Sequence, residues 1–137
     1  MIDSFAHHRA DYAQVVGAPA HAAFAGRAYV FTKTAKGWKQ AAELKGSDTV
    51  ANDYFGGSVA ISGTTAVIGA PDHGKYAGRV YVFTKTAKGW KQRVEVKGSD
   101  TAANDEFGFS VAISGTTAVA GANVHALYAG RAYLFEA

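Results

Sequence analysis

The stretch Phe55-Gly56-Gly57-Ser58-Val59-Ala60-Ile61-Ser62-Gly63-Thr64-Thr65-Ala66-Val67-Ile68-Gly69-Ala70-Pro71 decides the fold. It holds two short apolar runs, residues 58–62 and 65–69, separated by Gly63-Thr64. Glycine between two such runs predicts a tight hairpin. Apolar side chains on consecutive positions predict strands covered on both faces. Residues 78–84, rich in valine and aromatics, predict a third strand. Lys88-Gly89 turns the chain into a fourth, residues 90–96, whose polar and apolar residues alternate as in a half-exposed outer strand. No segment carries helical periodicity.

The same pattern recurs. Ala25-Gly26-Arg27 returns as Ala77-Gly78-Arg79 and Ala129-Gly130-Arg131, each 52 residues on. Between residues 25–76 and 77–128, 40 of 52 positions are identical, without a gap. A period near 50 residues with four strands per unit predicts an all-β fold of propeller blades, each of four antiparallel strands. A β-helix is the rival, but its repeat is shorter and has no Trp-bearing outer strand. The expected organisation is one repeat domain over residues 1–137. Its units are 3–54, 55–106 and 107–137, the first degenerate between Asp3 and Asp11 and the last short.

Composition narrows the function classes. With 48% hydrophobic and 18% charged residues the chain can bury a core. No apolar run is long enough for a membrane-spanning helix, and no signal peptide is visible at the N-terminus. A net charge of +3 is too small to argue nucleic-acid binding. Without cysteine there is no disulfide or thiolate nucleophile. No nucleophile elbow, zinc-protease motif or P-loop is present, so no catalytic residue and no enzyme activity are expected.

The residues 55–71, their copy Phe107-Gly108-Phe109-Ser110-Val111-Ala112-Ile113 with Gly121-Ala122-Asn123, and the segments Gly78-Arg79-Val80-Tyr81-Val82-Phe83 and Gly89-Trp90-Lys91-Gln92 resemble FG-GAP repeats. These are the blades of the integrin α-subunit propeller and of many bacterial exported proteins. The resemblance implies a propeller and an extracellular or cell-surface setting. It also implies a binding role, since such propellers include lectins and adhesion receptors. Integrin-type blades often bind calcium between their first and second strands. Here that connection is Ser62-Gly63-Thr64-Thr65, without a carboxylate, so calcium is not expected, nor any other cofactor or metal.

About 2.6 units fall short of the four or more blades that close a ring. The expectation is therefore that the ring is completed by homo-oligomerisation, as a dimer or trimer, with a fragment of a longer propeller as the alternative. Candidate ligand residues lie on the face of the longer loops. His21, His73 and His125 keep one repeat position while their neighbours change, and Phe24, Tyr76 and Tyr128 follow them. Asp48 and Asp100 occupy the connector between units. Aromatic rings beside imidazoles and carboxylates suit a glycan or a protein surface. The competing readings are structural: Asx-turns for the aspartates, interblade packing for the rings, and Arg27, Arg79 and Arg131 paired with Asp53 or Asp105. A purely structural, recently duplicated or engineered propeller fragment without ligand is the remaining alternative.

Overall fold

The computed structural model describes residues 13–137; the degenerate start of the first unit, Asp3 to Asp11, lies outside the described residues. Three antiparallel sheets follow one another along the chain. The first comprises β1 (Ala13–Ala18), β2 (Arg27–Thr34) and β3 (Gly37–Leu44). The second comprises β4 (Ser58–Ser62), β5 (Thr65–Ala70), β6 (Arg79–Thr86) and β7 (Gly89–Val96), hydrogen-bonded in chain order. The third comprises β8 (Ser110–Ser114), β9 (Thr117–Ala122) and β10 (Arg131–Glu136). The second sheet is the four-stranded blade that the repeat predicts.

The turns carry the expected chemistry. Ser62 pairs with Thr65 across a two-residue loop in which Gly63 has φ 58°, a conformation that glycine adopts without steric cost. In the outer hairpin Thr86 pairs with Gly89, and the Thr86 hydroxyl donates to the Gly89 carbonyl at 2.8 Å. The alternation expected of the outer strand is broken by a bulge. Val82 pairs with Val94 but Phe83 with Gln92, leaving Arg93 unpaired, and the first sheet repeats this at Ala41.

The core lies in two seams between sheets. In the first, Ala28, Val30 and Leu44 face Ala66, Ile68, Ala70, Tyr81 and Phe83, with Phe55 fully buried among them. Phe55 meets the Tyr81 and Phe83 rings edge-on, at 5.4 and 6.1 Å between centroids. In the second seam Phe107 plays the same part against Tyr133, at 5.2 Å. The glycine after each wedge lets backbones touch. A Cβ on Gly69 would lie 2.1 Å from the Gly108 carbonyl oxygen, and one on Gly17 2.0 Å from that of Gly56. Ser58 donates across the second seam to the Gly108 carbonyl at 2.9 Å, a structural use of that hydroxyl. Strands β1, β4 and β8 converge on a cavity of about 300 Å³ lined by residues such as Val15, Ala60 and Ala112.

Between the second and third strands of each unit the backbone makes a left-handed turn, which nothing in the side-chain pattern announces. Ala22, Ala23 and Phe24 have φ of 55°, 58° and 65°, and Gly74, Lys75 and Tyr76 repeat it at 63°, 59° and 65°. Non-glycine residues rarely hold this region. Ala126, Leu127 and Tyr128 hold it too, at 55°, 57° and 72°, with no connector after them among the described residues. In the first two units the carbonyls of the turn are used: those of Ala23, Phe24 and Ala25 accept the N–H groups of Asn52, Tyr54 and Phe55. Those of Lys75, Tyr76 and Ala77 accept Asn104, Glu106 and Phe107 in the same way. Each connector between units is thereby fastened to the loop face of the unit it leaves.

Candidate functional site

The connector that follows β3 also reaches forward, into the next unit. Asp53 is buried; its carboxylate accepts the Val50 N–H at 3.0 Å, closing its own loop, and bonds His73 Nδ1 at 2.6 Å. The other face of the same imidazole, Nε2, lies 3.5 Å from Asp48 Oδ2 and 3.9 Å from Glu95 Oε2. Asp48 accepts the Tyr81 hydroxyl through its second oxygen at 2.6 Å. Arg79 Nε lies 3.3 Å from Glu95 Oε2. Five side chains from the connector, β6 and β7 thus surround one half-buried histidine on the left-handed turn.

The second seam repeats the arrangement. His125 Nδ1 bonds Asp105 at 2.6 Å, its Nε2 lies 3.5 Å from Asp100, and Tyr133 donates to Asp100. Sequence reasoning singled out His73 with Asp48 and His125 with Asp100, and the fold brings each pair together. It assigned Asp53 and Asp105 to the arginines, and that pairing is corrected: Arg79 pairs with Glu95, and Arg27 with Glu43 at 3.2 Å. The reason is the hairpin, which sets the start of one strand beside the end of the next. Counting straight back from the Ala87-Lys88 turn sets Glu95 opposite Val80, on the other face from Arg79; the bulge at Arg93 moves it opposite Tyr81, onto the face of Arg79. His21 is exposed, and among the described residues no carboxylate pairs with it. The three imidazoles therefore do not share one environment. Tyr76 and Tyr128 are exposed beyond the clusters rather than joined to them.

Electrostatics follow from this crowding. Burial alone would raise the Asp48 carboxyl, but the bonds from Tyr81 and Glu95 and the nearby His73 outweigh it and hold the group low. Glu95 goes the other way, raised first by burial and then by the hydrogen bond it shares with Asp48. The two neighbouring carboxyls are thus shifted in opposite directions. Burial and the bond to Asp100 push the Tyr133 hydroxyl up to about 12; Tyr81 is raised for the same two reasons, its acceptor being Asp48.

A second feature lies on the same face. The Phe24 ring stacks on Tyr54 at 6.4 Å, with 10° between planes, and both border an open groove of about 270 Å³ with Asn52, Asp72 and Tyr76. Burial and the neighbouring Asp53 raise the Asp72 carboxyl. Tyr54 was not among the candidates, because its repeat partner is Glu106 and the ring is not a property of the period.

The FG-GAP repeat family model matches residues 38–83 and 90–135, more than half of the chain. The chain belongs to the FG-GAP repeat family. Each match begins at the outer strand of one sheet and ends in the third strand of the next, so the family's unit spans a seam. Comparison with curated proteins finds no match. Among the described residues no helix is long and apolar enough to cross a membrane.

Proposed function

We propose that this FG-GAP repeat chain is a non-catalytic, propeller-type scaffold that associates with further copies of itself through the outward face of its third sheet. One observation carries the reading. At Gly26 and Gly78 an added Cβ would strike the Phe55 and Phe107 backbones at about 2 Å, whereas at Gly130 it would meet nothing nearer than 3.7 Å. The socket that takes a Phe-Gly segment in the first two units stands open in the third. Leu134, whose counterpart Val82 in the second sheet is wholly buried, is 72% exposed, and Leu127 and Tyr128 on the adjoining turn are exposed as well. Apolar exposure at a position that the preceding unit buries marks an interaction surface. The contact would be head-to-tail, and two or three copies would close it by rotation. Light scattering on the 137-residue chain tests this: two or three times 14.3 kDa is expected, and a folded 14.3 kDa species at micromolar concentration overturns it. Leu127→Glu with Leu134→Glu should return the assembly to single chains without loss of sheet signal.

The groove at Phe24, Tyr54 and Tyr76 favours a second reading, carbohydrate binding on the loop face. Stacked rings beside an amide and a carboxyl offer a sugar an apolar platform and hydrogen-bond partners. Glycan-array binding that Tyr54→Ala abolishes would support it. Binding indifferent to both Tyr54→Ala and Tyr76→Ala would remove the groove as its site.

A further inference from the structure

We propose that Asp48, His73 and Glu95 form a binding site for a divalent cation of the zinc class at the first seam. The argument begins with the imidazole. In the tautomer that donates from Nδ1 to the buried Asp53 carboxylate, 2.6 Å away, the His73 ring presents a lone pair at Nε2. That lone pair faces the carboxylate oxygens of Asp48 and Glu95 at 3.5 and 3.9 Å. Arg79 Nε lies 3.3 Å from that same Glu95 oxygen and the Tyr81 hydroxyl bonds the other oxygen of Asp48, so a cation entering here displaces Arg79 from Glu95. A proton on Nε2 would meet the two carboxylates only as long ion pairs, at 3.5 and 3.9 Å, rather than as short hydrogen bonds.

A metal ion suits these three acceptors better. The three ligand atoms lie within 4.8 Å of one another. Ligands at about 2.1 Å around a tetrahedral zinc are spaced roughly 3.4 Å apart, so a small inward movement of Asp48 and Glu95 completes the set. One imidazole and two carboxylates match the nitrogen and oxygen preference of zinc, and the half-exposed Asp48 leaves a fourth position open to water. Asp53 supplies the outer partner that metal-bound histidines use to fix ring orientation. Calcium and magnesium are disfavoured, since imidazole is a poor ligand for them and too few oxygens converge.

The second seam is an internal control. It repeats His125, Asp105 and Asp100, but the described residues bring no second carboxylate to His125 Nε2. The site lies within one chain, so it does not depend on self-association.

Titration of the full chain with ZnCl2, followed by calorimetry and by 1H–15N correlation of the imidazole nitrogens, tests the proposal. Saturable binding is expected, with His73 Nε2 perturbed first and its Nδ1 still protonated. Glu95→Gln and Asp48→Asn should each weaken that binding by about tenfold or more. Calcium chloride should leave the spectrum unchanged. Three results overturn the site: no saturable zinc binding, zinc perturbing His7, His8 or His125 before His73, or affinity unaltered in both variants. Since His73 is read directly in the unmodified chain, poor folding of either variant would not leave the question open.

Discussion

The outward faces of the second and third sheets use the same repeat positions and meet different fates. Val67, Val80 and Val82 are wholly buried, packed against the third sheet. Their counterparts Val119, Ala132 and Leu134 run from half-buried to exposed, although Val119 is the identical residue. Burial is therefore not written into a unit. It is conferred by the unit that follows, the nearest-neighbour behaviour of repeat proteins.

The largest effect that tests this contrast should come from a wedge. Phe55→Ala leaves a cavity in the first seam and should cost about 3–5 kcal/mol in urea denaturation. A small loss there would mean that the seam collapses without its centre. Next comes a glycine pair. Gly69→Ala drives a methyl into the Gly108 backbone and should cost about 3 kcal/mol, whereas Gly121→Ala meets only the Ser110 side chain and should cost far less. Equal costs would break the comparison between closed and open sockets. Gly121→Ala should instead weaken self-association, read by light scattering at low concentration.

A smaller effect is expected on acidification. Burial pushes the Asp105 carboxyl up, but the Ala102 N–H and His125 outweigh it, so its pKa is lowered in the folded chain. A lowered folded value means stability that is present above the ordinary carboxylate range. It is lost as pH falls through that range towards the folded value. Asp105→Asn should flatten the acid limb of a denaturation series without moving the neutral plateau's slope. An unchanged limb would show that the second seam gains nothing from this charge. The smallest change should be Gln92→Ala, which removes exposed bonds to Ser47 across the first seam; a loss under about 1 kcal/mol is expected.

Much of this was legible in the residues. Gly63-Thr64 and Lys88-Gly89 announced the hairpins, and β-branched runs between them announced strands, because local turn chemistry and side-chain pattern agree there. The left-handed turns were not legible. Ala22, Ala23 and Phe24 have no preference for that backbone; the third turn holds it with no connector after it among the described residues, and a bond common to all three runs inside the turn, from the Gly26, Gly78 or Gly130 N–H to the histidine carbonyl. The histidine clusters were half legible. Period singled out His73 and Asp48 separately, on two loops of one face, but their meeting and the link to Asp53 depend on a connector folding forward across a seam, which spacing does not encode. Glu95 was missed because its pairing with Arg79 is set by hairpin register and a bulge.

The forward reach of the connector has a practical consequence for cutting, splicing or permuting this chain. A break placed neatly between sheets would part Asp48 and Asp53 from His73 and strand half of a polar lock on each piece. The outer hairpins are the safer scissors line. Nothing lies within 4 Å of a Cβ built on Gly37 or Gly89, and neighbouring sheets make no demand on those tips. Modules excised from one such tip to the next would keep Asp48, Asp53 and His73 together and leave only Glu95, on β7, to the following piece.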